Sequence, residues 1–317
     1  MAADRKTLGQ FLEAAQIPEA SAEAELRTLL LDLSSACRTI GRRVADEPSR
    51  ARSGWMAQLR SGAGDGHAMN ACSLRRGPYL AVLLPVDSPS SIEVNAAGGT
   101  IFSVLQARGT GHDAGCTQVC SGYAIHGPSL VLVLAIGAGV QAFALDRWKD
   151  EFMLTDGDIR IPAATDEIAI DASNTRFWQP AVRRYVDECL AGDAGPRGRN
   201  FRFHWLGSMV AEAHRILMRG GVFVCPVTDR TAERARQPRL LHEANPLAFV
   251  IENAGGRAST GRGRILDLAP GVSRLRTPLI FGAAEEVERL EAYHGDHDAG
   301  RYDAPLFAER GLFRSTV

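Results

Sequence analysis

The residues of this chain best suited to chemistry gather at one turn. Leu84-Pro85-Val86-Asp87-Ser88-Pro89-Ser90-Ser91-Ile92-Glu93 places a carboxylate, three hydroxyls and a second carboxylate directly after the apolar run Tyr79-Leu80-Ala81-Val82-Leu83. That run is short enough for a buried strand. Gly98-Gly99-Thr100-Ile101-Phe102-Ser103-Val104-Leu105 reads as a second one. An acid followed by Ser-rich turn residues at a strand end is where an α/β fold presents backbone N–H groups to anions. The same composition also arises simply because strand ends turn.

The elements that must position this turn can be read around it. Thr7 to Gln16 predicts a short helix and Ser21 to Val44 a longer one, with Leu26, Leu29, Leu30, Leu33, Ala36 and Ile40 at helical spacing. Ala45 to Arg76 is polar and rich in Gly, Ser and Arg, with only a possible helical turn at Trp55-Met56-Ala57-Gln58-Leu59. Ser129 to Ile136 and Val140 to Leu145 predict a hairpin across Gly137-Ala138-Gly139. Further on, strands are expected at Ile168-Ala169-Ile170 and Gly221 to Cys225. Helices are expected over Phe177 to Leu190, Gly207 to Met218 and Glu243 to Asn253, the last stopped by Gly255-Gly256. This alternation is that of a layered α/β fold.

Pro85, Asp87, Ser90 and Ile92, followed by Gly99-Thr100-Ile101-Phe102, resemble the metal loop of class I fructose-1,6-bisphosphatases, DPLDGSSNID and its GTIF strand. Gly115 to Pro128, with Gln118 and Gly122-Tyr123, resembles a helix of that family. Gly207-Ser208-Met209-Val210-Ala211-Glu212-Ala213-His214-Arg215 and His242-Glu243-Ala244-Asn245-Pro246 continue the likeness. It runs from Thr7 to about His294, apart from Ala45 to Arg76. The resemblance implies a sugar-phosphatase α/β architecture of two subdomains, 1–162 with the effector helices and metal loop, and 163–317 holding substrate.

It also implies a phosphomonoesterase that uses Mg²⁺ held by hard oxygen ligands. Of those ligands it assigns Asp87, the carbonyl of Val86, and Glu243, while Leu84 stands where the family has its first Asp. Paired glutamates expected near Met69 to Ser73 are missing, and no Asp or Glu lies between Asp65 and Asp87. Asp65 and Glu93 are the nearby acids that could fill the gap. In the phosphate cradle Ser88 replaces Gly, Ser90 is retained, and Pro89 has no N–H to give. For the distal phosphate, Asp171 replaces Asn, His204 an Arg from a neighbouring subunit, Cys225 a Tyr, and Gln237 a Lys. Met209 stands where the sugar ring packs, and Arg239 is kept, though both also suit purely structural roles.

Two functions follow as expectations. The favoured one is a non-catalytic paralogue that keeps the scaffold and works beside an active copy. The other is a residually active Mg²⁺-dependent fructose-1,6-bisphosphatase. Either is expected as a homo-oligomer, a dimer or tetramer, binding sugar phosphate weakly. With 36 Lys and Arg against 37 Asp and Glu, no basic footprint argues for nucleic acid or a lipid surface. The longest apolar stretch, Ser129 to Val140, is too short for a bilayer, and Met1 to Lys6 leads into no signal-peptide core, so a cytoplasmic protein is expected. The six cysteines make no metal pattern. Cys116 and Cys120, expected on one helix face, read as thiols before they read as a redox pair.

Overall fold

The computed structural model describes residues 5–15, 22–46, 72–107, 116–137, 139–226, 237–268 and 275–301. The possible turn at Trp55 to Leu59, Asp65, Met69 to Ala71 and the apolar pairs after residue 304 lie outside them.

The chain enters through α1 (Leu8–Ala14), closed by a capping box in which Thr7 Oγ1 accepts from Gln10 N and Gln10 Oε1 accepts from Thr7 N. Helix α2 (Glu23–Asp46) buries Leu26, Leu29, Leu30, Leu33 and Cys37 along one stripe. That stripe lies on a seven-stranded antiparallel meander. Its strands are β1 (Cys72–Arg76), β2 (Tyr79–Leu84), β3 (Gly98–Ala107), β4 (Cys116–His126), β5 (Leu130–Ile136), β6 (Gly139–Asp146) and β7 (Glu151–Asp156), paired in chain order. A five-residue helix, α3 (Pro89–Glu93), interrupts the meander between β2 and β3.

The second sheet has the order β11-β12-β10-β8-β9. Strand β8 (Glu167–Ile170) is parallel to both β9 (Arg202–His204) and β10 (Val222–Cys225). Between them in sequence lie α4 (Pro180–Leu190) and α5 (Met209–Arg219). A π turn at Leu240–Ala244 runs into α6 (Asn245–Asn253), followed by β11 (Arg257–Ser259), β12 (Leu279–Gly282) and α7 (Ala284–Asp298).

Three apolar clusters stack these elements into five layers. Phe102, Val104, Ala124 and Leu132 face the α2 leucines. From the other face of the same sheet, Leu84, Ile101, Tyr123 and Val133 meet Val210 and Ile216 of α5 and Leu247 and Ile251 of α6, with Phe223 and Phe281 of the second sheet beyond. Ile168, Val222 and Ile280 then meet α4 and α7 through Val182, Tyr185, Val287 and Leu290. Both faces of the meander are buried, which explains why its strands read as nearly continuous apolar runs.

Of the stretch Gly115 to Pro128, expected as a helix, Cys116–His126 form the central strand β4, and its Cys120 is a free buried thiol on that strand. Its Gly, Ser and Cys positions leave room on both faces. A Cβ on Gly122 would lie 2.3 Å from the Val133 carbonyl oxygen and 2.5 Å from the Phe102 ring. The helix expected from Phe177 starts at Pro180, after a 3₁₀ segment over Ala172–Phe177. Gly255, with φ +83, accommodates the turn that closes α6.

Candidate functional site

The loop that follows β2 is anchored by its one acid. Asp87 Oδ1 accepts from Gly99 N at 2.6 Å, while Oδ2 accepts from Ser208 Oγ at 2.8 Å, Val210 N at 3.2 Å and Ser88 Oγ at 3.2 Å. The Asp87 N–H also donates to Gly99 O at 2.8 Å. Loss of solvent pushes the carboxyl above its ordinary value, against the downward pull of these four donors. The arrangement ties together three segments far apart in sequence: the loop, the start of β3 and the N-terminus of α5. It needs Gly99, because a Cβ there would sit 2.3 Å from Val210. Close packing thus explains the glycine of the Gly-Thr-Ile-Phe match.

Leu84, at the position of the first expected metal acid, is 2% exposed in the core shared with Leu240 and Ala244. Val86 and Ile92 form a small cluster with Ile40 and Val44. Ser88 occupies the N-cap position of α3 without a side-chain cap bond, and its one hydroxyl proton is shared between Gly207 O at 3.0 Å and Asp87 Oδ2 at 3.2 Å. Pro89 occupies the first helical position, where a missing N–H costs nothing. Ser90 is exposed. Met209 opens α5 and packs against the central core.

Glu243 lies on the π turn. Its Oε2 accepts from Arg239 N at 2.7 Å and Nε at 3.4 Å. The thiol of Cys225, at the end of β10, is pushed up to about 12 by burial first and then by the negative charges of Glu243 and Asp171. Asp171 caps the 3₁₀ segment after β8, accepting from Ser173 N at 2.9 Å. Nearby His242 is lowered to about 4, by burial first and Arg239 second. The carboxyl ends of β8 and β10 therefore present acids and a neutral thiol. Carboxyl ends of parallel strands are where such sheets bind ligands.

His204 is drawn away from this group, with Nε2 3.7 Å from Glu167 Oε2. Glu167 also pairs with Arg215, whose Nε donates to Glu212 Oε2 at 3.1 Å. Glu212 is fully buried, and its Oε1 accepts from Leu206 N at 2.7 Å. Glu212 and Arg215 thus fix the segment leading to Gly207 and Ser208. These supports, and Ser208 itself, escaped the sequence reading. The only hint was that Ser208 and Glu212 lie in the Gly-Ser-Met-Val-Ala-Glu motif.

A multi-metal cluster does not fit these residues. Both oxygens of Asp87 are bound by protein donors, Leu84 offers none, and Glu243 is engaged by Arg239. Among the described residues no three His, Cys, Asp or Glu side chains converge to hold an ion. Nor is any described helix long and apolar enough to cross a membrane.

Comparison with known proteins bears on this geometry. Residues 56–157 match the family model described as fructose-1-6-bisphosphatase, N-terminal domain, and residues 161–295 the C-terminal domain. A class 1 fructose-1,6-bisphosphatase of Methylibium petroleiphilum is 42% identical, covering 98% of this chain and 98% of its own length. One from Hydrogenophilus thermoluteolus is also 42% identical, covering 97% of each. One from Rhodospirillum rubrum is 39% identical, covering 99% of each. The crystal structure of Leishmania major fructose-1,6-bisphosphatase in holo form superposes with a TM-score of 0.76 at 27% identity, over 92% of this chain and 99% of that one.

Proposed function

The chain belongs to the class 1 fructose-1,6-bisphosphatase family, and we propose that it keeps the family scaffold while its own hydrolysis is severely impaired or lost. One observation carries this reading: the loop acid, Asp87, spends both oxygens on Gly99, Ser208, Val210 and Ser88. Phosphoryl transfer depends on charge placed around the transferred group. Here Leu84, three residues before Asp87, is a buried leucine, and Asp171 and Glu243, the latter paired with Arg239, put acids near Cys225. A charge-assisted hydrogen bond to phosphate contributes about 1.5–3 kcal/mol. The resemblance puts family cations at the positions of His204 and Gln237, and each such loss weakens sugar-phosphate binding accordingly.

A second reading, a residually active Mg²⁺-dependent fructose-1,6-bisphosphatase, is favoured by the relatives. Three that align with nearly the whole chain at 39–42% identity carry that name. Phosphate release from fructose 1,6-bisphosphate at millimolar Mg²⁺ separates the two. Release at background supports the first. Turnover near about 1 s⁻¹, the low end of ordinary enzymes, that disappears in Asp87→Asn supports the second.

Assembly as a homo-oligomer, alone or with an active paralogue, is part of the same proposal. It is supported by Phe203, Trp205 and Leu206, which stand exposed on and just after the edge strand β9. Sizing chromatography with light scattering tests it, and a monodisperse monomer overturns it.

A further inference from the structure

Residues 205–208 join the edge strand β9 to helix α5, and each of the four is fixed by a different group. The Trp205 ring stacks on Phe223 of β10, with centroids 6.2 Å apart and planes 11° from parallel. Leu206 gives its N–H to Glu212 Oε1 at 2.7 Å. Gly207 takes a positive φ of +72, and its carbonyl oxygen lies 3.0 Å from the Ser88 hydroxyl. Ser208 caps α5 by accepting from Ala211 N, and it donates to Asp87 Oδ2 at 2.8 Å. The first two of these side chains stand half exposed beside β9, while the last closes on a buried carboxylate.

Glu212 holds the middle of this segment. It is fully buried in the first turn of α5, and its Oε2 accepts from Arg215 Nε at 3.1 Å. Arg215 also pairs with Glu167 of β8. Glu167 reaches back to β9, with Oε1 3.8 Å from Arg202 Nη1 and Oε2 3.7 Å from His204 Nε2. The contacts close a circuit from β9 through Leu206, Glu212, Arg215 and Glu167 to β9 again. Displacing one member of such a buried ionic circuit leaves another without its partner, at high cost. A shift of the edge is therefore carried along the chain to Ser208.

We propose that residues 205–208 are a strap through which the exposed edge at β9 sets the loop of Asp87, with Glu212 as its positioning residue. Glu212 acts through the N–H of Leu206, two residues before Ser208. The strap ends on the same carboxylate that binds Gly99 N and Val210 N, so its position decides whether both amides stay held. The inference rests on Asp87 being a latch, and adds that the latch is controlled from the surface bearing Trp205 and Leu206.

Amide hydrogen exchange of the full chain at pH 7.5 tests this, read at Gly99 and Val210 against the amides of β5 and β6, which report global opening. Glu212→Ala and Trp205→Ala should each speed exchange at Gly99 and Val210 by about fivefold or more, the worth of one hydrogen bond. The amides of β5 and β6 should change less. Trp205 is half exposed, so its variant keeps the test available if Glu212→Ala does not fold. In a Ser208→Ala background, where the strap no longer reaches Asp87, Trp205→Ala should change Gly99 exchange by less than about twofold. Exchange at Gly99 and Val210 that Trp205→Ala leaves unchanged overturns the proposal. So does an equal acceleration at β5 and β6, which signals lost stability alone, or an acceleration at Gly99 that persists without Ser208. Gly99 exchange that Ser208→Ala does not alter would instead refute the latch itself.

Discussion

Replacing Asp87 by alanine distinguishes a structural latch from a metal ligand, because the two respond in opposite directions. A carboxylate built to hold cations is surplus negative charge in the metal-free protein, and removing such a group commonly stabilises. Asp87 instead receives two backbone N–H groups and the Ser208 hydroxyl, with the Ser88 hydroxyl shared with Gly207 O. Hydrogen bonds to a charged acceptor contribute about 1.5–3 kcal/mol each, partly offset by the cost of taking the carboxylate out of water. A net loss of about 2–4 kcal/mol is expected for Asp87→Ala. For 317 residues unfolding together, the entropy of unfolding near the midpoint is about 0.7 kcal/mol/K. The midpoint should then fall by about 3–6 °C in metal-free buffer. Differential scanning calorimetry with a chelator present measures this. A midpoint that is unchanged or raised would mean that the bonds around Asp87 contribute nothing net, and the latch would be refuted.

Other expectations concern neighbouring positions. Leu84→Asp alone should restore no phosphate release and should cost about 4 kcal/mol by burying an unpaired carboxylate among Ile101, Leu240 and Ala244; family-like turnover from this single change would contradict it. Gly99→Ala should destabilise by about 1–3 kcal/mol, since its Cβ meets Val210, and a wild-type urea midpoint would show that α5 moves aside freely. His126, lowered from 6.5 to about 4, takes up its proton first in the unfolded chain. Its contribution is complete above 6.5 and is lost as pH falls to about 4, so the stability difference between wild type and His126→Gln should shrink by about 3 kcal/mol over that window. A difference independent of pH would show that the imidazole is not kept neutral by the fold.

Much of the frame was legible in the sequence because its signals are local. The α2 leucines repeat at helical spacing, and β2, β5 and β6 are short apolar runs bounded by turn residues. Strand β4 was misread as a helix because both its faces are buried, and Gly122, Ser121 and Cys120 give neither period clearly. Helix α7 went unread although Val287, Leu290, Tyr293 and His294 form its buried stripe, and the three-residue strands β9 and β11 are too short to leave a pattern. Within the site, the replacement at Leu84 was plain from one letter. The use of Asp87 was not, because its partner Ser208 is 121 residues away and only the fold brings them together. Asp171 was read as facing phosphate; that its Oδ1 also caps its own 3₁₀ turn through Ser173 was not legible.

Whether the loop from Leu84 to Ser88 organises metal ions can be measured by titrating Mn²⁺ into the chelator-stripped protein, with and without fructose 1,6-bisphosphate, and following the free ion by electron paramagnetic resonance. With Asp87 committed to Gly99, Ser208 and Val210, no saturable site should appear tighter than about 1 mM, and the sugar bisphosphate should not change that. Two or more sites of micromolar affinity, strengthened by the sugar bisphosphate and lost in Asp87→Asn, would contradict it and return the protein to the active phosphatases.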